Sequence, residues 1–216
     1  PYVFRTNNYG KTWDRIVDAS DVTSYALSIV EDPEEPNLLF LGTDDGLYIS
    51  IDKGDKWTKW TEGFPTVSVK DLIIHPREND LIIGTFGRAA WILDDIRPIR
   101  AIAKDKNLLK DKIHLFMPPT AYKAAYQQPT GSRFGGDALF NGKNRGNGAK
   151  FSFYFNRKEI TKENLKKIES ETKDSIIKWD SIRLKIYDSD RLIRTIKKIT
   201  PKENGIHTWT WNMDEK

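Results

Sequence analysis

Apolar residues in this chain fall in short runs broken by Gly, Pro, Asn and Asp, a pattern that predicts many brief β-strands. Residues 2–17 read as a strand, a turn and a second strand ending at Ile16-Val17. Residues 25–30 are the next strand, and Asp32-Pro33-Glu34-Glu35-Pro36-Asn37 is a loop fixed by two prolines. Residues 38–41 form a short apolar strand, and 42–46 read as a turn with Asp45-Gly46 as a hairpin signal. Residues 47–51 and 57–60 flank a further turn. The run at 67–74 then repeats 25–30, His75-Pro76 answers Asp32-Pro33, and 81–85 answers 39–43. Gly42-Thr43 and Gly84-Thr85 are thus copies 42 residues apart.

The first two turns share an eight-residue pattern. Thr6-Asn7-Asn8-Tyr9-Gly10-Lys11-Thr12-Trp13 aligns with Ser50-Ile51-Asp52-Lys53-Gly54-Asp55-Lys56-Trp57, and the glycines stand 44 residues apart. That period suits one four-stranded propeller blade. Asn8 and Asp52 are expected to accept hydrogen bonds from N–H groups one or two residues on, with Thr6 and Ser50 doing the same more weakly. Gly10 and Gly54 are expected to supply a positive φ. Trp13 and Trp57 are expected to fold back and bury an aromatic face.

The pattern resembles the Asp-box, or BNR repeat, of sialidases, sortilin-like receptors and xyloglucanase-like β-propellers, whose full form is Ser/Thr-x-Asp-x-Gly-x-Thr-Trp. Asn8 departs from it in the first copy and Lys56 in the second. The resemblance implies a propeller whose boxes lie on the outer rim, so Thr6, Asn8, Gly10, Trp13, Ser50, Asp52, Gly54 and Trp57 read as structural. After Gly87-Arg88 no third box follows. The run Ala89-Ala90-Trp91-Ile92-Leu93-Asp94-Asp95-Ile96, followed by Arg97-Pro98-Ile99-Arg100, resembles the closing segment of large bacterial sortilin-like or glycosyl-hydrolase-like BNR proteins. Phe86 stands where a His often precedes the Gly-Arg.

Residues 104–112 read as a charged linker and 113–216 as a second module. Within it, 127–149 reads as an irregular loop, 150–156 as a strand with Phe151, Phe153 and Phe155 on one face, and 161–173 as a helix capped by Thr161. Strands at 182–187, 192–196 and 206–211 follow, joined by turns at Asp188-Ser189-Asp190 and Asn204-Gly205. Their order resembles the Ig-like module of flagellar hook-capping proteins. A full sandwich of that kind has about seven strands, so this one reads as incomplete.

Charge divides the chain the same way. Residues 1–100 carry 11 Lys/Arg against 17 Asp/Glu, and 101–216 carry 24 against 14. The basic half scatters its lysines among acids, which favours a solvated surface over a nucleic-acid stripe. Absence of cysteine excludes disulfides and thiolate chemistry. No apolar run reaches membrane-spanning length. His75, His114 and His207 lack metal-ligand spacing, and no cofactor motif is present. Residues 142–148 contain glycines without the Gly-Lys-Ser/Thr ending of a phosphate loop.

The acidic pairs Asp44/Asp45 and Asp94/Asp95 are the weak candidates for glycosidase carboxylates. Neighbours on a strand point to opposite faces, which disfavours both pairs. Arg88, Trp91, Tyr122 and Tyr126 are the candidate ligand-binding residues. The expectation is all-β: the last blades of an Asp-box propeller at 1–103, the linker at 104–112, and an Ig-like sandwich with one inserted helix at 113–216. The resemblance implies a secreted, periplasmic or cell-surface bacterial protein, with its remaining blades expected before Pro1. The functional expectation is a non-catalytic module that binds a glycan or peptide and serves as scaffold. The alternative is part of a glycoside hydrolase whose carboxylates lie mainly upstream.

Overall fold

The computed structural model describes residues 1–123, 145–156 and 181–215. The chain is mostly β and divides into two compact units, Pro1–Leu109 and Lys110–Lys216. The expected helix at 161–173, most of the loop at 127–149, and Tyr126 lie outside the described residues.

In the first unit, β1 (Val3–Arg5) pairs with β2 (Asp14–Val17). Strands β3 (Ala26–Glu31), β4 (Leu39–Thr43), β5 (Gly46–Ser50) and β6 (Thr58–Trp60) form an antiparallel meander in sequence order. A second meander holds β7 (Val69–Ile74), β8 (Leu81–Thr85) and β9 (Ala90–Leu93). Every residue of β4 and β5 is buried, whereas an antiparallel sheet with one wet face would alternate. The cause is a core on each side of the four-stranded sheet. Leu39, Leu41 and Tyr48 pack with Val17, Val22 and Trp57 toward β1–β2. Leu38, Phe40, Leu47 and Ile49 pack with Val69, Leu72, Leu81 and Ile83 of the next sheet.

Gly42 is a strand residue, not part of the turn expected at 42–46. Its lack of a side chain lets β7 approach. A Cβ there would fall on Ser28 Oγ and lie 2.6 Å from Val69 Cγ1. Its sequence copy Gly84 has room, with the nearest atom, Asp71 Cβ, at 3.5 Å. The accompanying threonines fasten the hairpins: Thr43 Oγ1 donates to Gly46 O (2.9 Å) and Thr85 Oγ1 to Ala89 O (2.5 Å).

The all-β expectation needs a correction at its edge. Arg97–Lys104 forms α1, with Pro in its first turn, and Lys106–Lys110 forms a 3-10 turn, so the stretch read as a linker begins in helix. Pro suits a first turn because the missing N–H has no partner there anyway. Ile99, Ile102 and Ala103 are buried. Arg100 grips the buried Asp32 with two bonds, Nε to Oδ1 (2.9 Å) and Nη2 to Oδ2 (2.7 Å). Its Nη1 also reaches Asn79 Oδ1 (2.8 Å). Asp32 Oδ1 further accepts the N–H groups of Glu34 and Glu35 at 2.9 and 2.7 Å. At the matching loop of the second sheet, His75 Nδ1 accepts the N–H groups of Arg77 and Glu78 at 3.3 and 3.1 Å. The ring nitrogen does the turn-forming task of the carboxylate, which accounts for one of the three histidines.

In the second unit, β10 (Ile113–Leu115), β11 (Ala149–Phe155) and β14 (Gly205–Trp211) form one antiparallel sheet. Strands β12 (Ser181–Asp188) and β13 (Arg191–Ile199) form a hairpin. Phe153, Phe155 and Trp209 make the core, with Ile182, Leu184 and Ile196 against it. Phe153 and Trp209 meet edge to face at 4.9 Å.

Two outcomes follow from this packing. Gly42→Ala is expected to lower stability by about 1–3 kcal/mol through overpacking, with Gly84→Ala near neutral, as read by denaturant midpoints; equal effects would contradict the close approach. Arg100→Met strands a buried carboxylate and is expected to cost about 3–5 kcal/mol. A melting midpoint within error of wild type would remove the Asp32 pair from the stabilising interactions.

Candidate functional site

Both boxes are built from the same hydrogen bonds. In the first, Thr6 Oγ1 donates to Asn8 Oδ1 (3.1 Å) and accepts from Gly10 N (2.8 Å), while Asn8 Oδ1 accepts from Thr12 N (2.9 Å). In the second, Ser50 Oγ donates to Asp52 Oδ1 (2.8 Å) and accepts from Gly54 N (2.9 Å), while Asp52 Oδ1 accepts from Lys56 N (2.9 Å). The Asn8 and Asp52 bonds reach four residues on, not the one or two expected, so each side chain spans the whole turn. Gly10 and Gly54 have φ of +85° and +92°. Gly54 also abuts Ile16, whose Cβ would lie 3.0 Å from an added Cβ.

The two tryptophans differ. Trp57 is buried (7 % exposed) and donates from Nε1 to Ile16 O of the neighbouring sheet at 2.8 Å. Trp13 is 58 % exposed and donates to Gly10 O of its own turn at 3.1 Å. The aromatic burial expected of both thus holds at Trp57 alone. The Asp52 carboxylate binds Lys106 through its other oxygen (3.1 Å). Burial pushes the Asp52 carboxyl up, but bonds from Lys56 N, Ser50 and Lys106 outweigh it and hold the group below its ordinary range.

The candidate carboxylates are engaged locally. Asp45 accepts from Thr43 Oγ1 (2.7 Å) and pairs with Lys59 (2.9 Å). Burial pushes it up, and the Lys59 and Thr43 bonds pull it below the ordinary range. Asp44 takes a hydrogen bond from Tyr25 and raises the Tyr25 pKa, chiefly through that bond. Asp95 pairs with Arg97 (2.5 Å) and accepts its N–H at the start of α1. Its own N–H donates to Asp80 Oδ1 (2.8 Å). Asp45 and Asp95 are thus each held by a cation, and Asp44 by the Tyr25 hydroxyl. Arg88 is exposed in the β8–β9 turn, and Trp91 packs edge to face on Phe64 at 5.5 Å while bonding Arg88 O. Tyr122 is exposed in the second unit. The structure brings Arg88 and Trp91 together in the first unit; Tyr126 lies outside the described residues.

A different group of residues converges in the first unit. A cleft of about 450 Å³ opens between β1–β2 and the second box. Arg5, Arg15, Asp14, Asp18, Asp21 and Asp55 supply its charge, and Trp57 and Ile16 its apolar wall. Arg5 donates from Nη1 to Lys53 O (2.6 Å), while its buried Nε has no hydrogen-bond partner. Arg15 stacks over the Tyr2 ring at 4.4 Å and donates to Val17 O. Asp18 is held below the ordinary carboxylate range, first by the Ser20 hydroxyl bond and then by the Ser20 N–H. The cleft thus brings side chains of both signs together, with the Asp18 carboxyl favoured in its charged form. Nothing local in the sequence marks it, because its walls come from residues 5–21 and 54–57.

Among the described residues no group of three His, Cys, Asp or Glu could hold a metal ion, and no helix is long and apolar enough to cross a membrane. His114 lies 3.4 Å from Asp111, and His207 Nε2 lies 3.0 Å from Glu203 O.

Residues 2–105 match the family model Sortilin-Vps10, described as sortilin, neurotensin receptor 3. The match makes this stretch similar to that family and supports a propeller-type region there. No curated protein and no solved structure matches the chain.

The depressed Asp52 carboxyl sets a pH test. A group whose folded pKa lies below its unfolded value stabilises the fold above the unfolded value, ~3.9 for Asp, and loses that contribution as pH falls through the folded pKa. Asp52→Asn, which copies Asn8, is expected to cost about 1 kcal/mol at pH 7. It should then melt like wild type once the pH is well below that range. A wild-type advantage that persists in strong acid would contradict the ionised role of Asp52.

Proposed function

We propose that the first unit is part of an Asp-box propeller that works as a receptor-type, non-catalytic binding module, and that its ligand is a peptide carrying both charges. The carrying observation is the cleft beside the second box, lined by Arg5, Arg15, Asp14, Asp18, Asp21 and Asp55. Fixed charges of both signs suit a partner that presents both, and such complementarity sets specificity and encounter rate. A glycan site would be expected to offer a free aromatic face for stacking. The Trp57 ring that lines this cleft is instead almost wholly buried and its N–H is used. The family matched over residues 2–105 carries the word receptor in its description, which supports the same reading. Hydrolysis is less favoured because Asp44, Asp45 and Asp95 are engaged by the Tyr25 hydroxyl, Lys59 and Arg97. The second unit is read as an Ig-like scaffold, and the whole as secreted or displayed on a bacterial surface.

Binding of the chain to arrays of charged peptides and of glycans tests this, with calorimetry on the hits. Asp21→Lys and Asp55→Lys change exposed charges at the cleft, and each is expected to weaken peptide binding about tenfold, equivalent to ~1.4 kcal/mol. Arg88→Glu, outside the cleft, should leave it unchanged. Retention of glycans alone, cleavage of a glycoside, or affinity indifferent to the two aspartates would overturn the reading.

A further inference from the structure

In the second unit, the β12–β13 hairpin has two unlike faces. Ile182, Leu184 and Ile196 pack on the core of Phe153, Phe155 and Trp209. The residues between them belong to the other face, because strand side chains alternate. On that outward face the register sets Ser181 opposite Ile199, Arg183 opposite Lys197, Lys185 opposite Thr195 and Tyr187 opposite Leu192. All but Ser181 are exposed. In a sandwich the core lies between the inner faces, so strands that complete the module add at its edges and leave this face outward.

The face gathers cations that the sequence scatters. Arg183 and Lys197 stand directly opposite each other, and like charges so placed destabilise a sheet. Lys185 follows Arg183 by two residues, about 7 Å along the strand. Acids around the hairpin serve other cations: Asp188 and Glu215 reach Arg191 at 3.8 and 3.0 Å, and Asp214 reaches Arg194 at 3.8 Å. Among the described residues Arg183, Lys185 and Lys197 have no ion-pair partner. Apolar side chains close both ends of the row. Tyr187 and Leu192 are 52 % and 49 % exposed at one end, and Ile199 is 84 % exposed at the other. The face carries no carboxamide or carboxylate to read sugar hydroxyls, which disfavours a glycan.

We propose that this outward face docks on an anionic lipid bilayer. Arg183, Lys185 and Lys197 meet the headgroup phosphates, while Tyr187, Leu192 and Ile199 enter the interface at the two ends of the row. Binding of this kind combines attraction to anionic lipid with burial of apolar area, and it lies on the membrane without spanning it. The bilayer supplies the negative charge that the opposed Arg183 and Lys197 lack. The proposal concerns the second unit alone and does not depend on the peptide reading.

Sedimentation of the whole chain with vesicles tests it, comparing equal parts of phosphatidylcholine and phosphatidylglycerol with phosphatidylcholine alone. Binding is expected to the anionic vesicles only and should weaken with added salt. Lys185→Ala and Lys197→Ala are each expected to lower the partition coefficient about fivefold, equivalent to ~1 kcal/mol per cation. Ile199→Ser should weaken binding while keeping the salt dependence of wild type. Lys11→Ala removes the same charge from the first unit and should leave binding unchanged. All four side chains are exposed, so circular dichroism should match wild type throughout. Equal binding to neutral vesicles, binding to neither kind, or a loss in Lys11→Ala as large as in the hairpin variants would overturn the proposal. Retention on a sulfated polysaccharide without vesicle binding would also overturn it and assign the face to a soluble polyanion.

Discussion

Removing a carboxylate from water costs several kcal/mol unless its oxygens are satisfied, and Asp32 is fully buried. Four bonds meet that demand, two from Arg100 and two from the N–H groups of Glu34 and Glu35. The consequence reaches well past the pair. Asp32 belongs to the β3–β4 loop, and Asn79, which shares the same guanidinium, to the β7–β8 loop. Arg100 can serve both only if α1 lies against the ends of both sheets. Neighbouring bonds fix it there: Ile96 N to Asn79 O (2.7 Å), Asp95 N to Asp80 Oδ1 (2.8 Å) and Asn37 Nδ2 to Ala103 O (3.3 Å). Just beyond the helix, Lys106 reaches Asp52 and links the second box to the same assembly.

The boxes teach how far a short pattern determines its surroundings. Their hydroxyl, Asx and glycine positions close the same turn in both copies, because every partner lies within that turn. Asp52 and Asn8 even exchange roles consistently. The carboxylate, with a second acceptor oxygen, takes Lys106, while the carboxamide, with a donor, gives its Nδ2 hydrogen to Thr12 Oγ1 (2.8 Å). Tryptophan is the exception because its environment comes from the neighbouring sheet. Trp57 finds Ile16 O there, and Trp13 falls back on its own turn.

Legibility in the sequence follows the same division. The strands of the first unit could be read from short apolar runs and the 42-residue recurrence of Gly-Thr, and so could the turns, because local chemistry decides them. The helix was harder to read, since its eight residues span little more than two turns and carry neither an acidic first turn nor a side-chain cap; Pro98 in the first turn is a local signal for it. Its stability comes from Ile99, Ile102 and the Asp32 bond, all of them tertiary. The role of Gly42 looked like turn chemistry until the distance to Val69 made it a matter of approach between sheets. The charged cleft was invisible for the same reason. Arg5 and Asp55 are ordinary surface residues in the sequence and become neighbours only because Trp57 seats the second box on β2.

The surroundings of the carboxylates bear on the proposed choice of binding over chemistry. A general acid must be neutral near working pH, which needs burial without a compensating cation. Asp45 and Asp52 are partly buried, yet each faces a lysine and a hydroxyl donor, and both are driven toward the charged form. Asp18 at the cleft is shifted the same way by Ser20 and Arg15. These surroundings make permanent anions rather than proton donors. Permanent anions beside Arg5 and Arg15 hold a fixed pattern of charge in place before any partner arrives. Such preorganisation lowers the ordering cost of association, which supports the proposed binding role of the cleft.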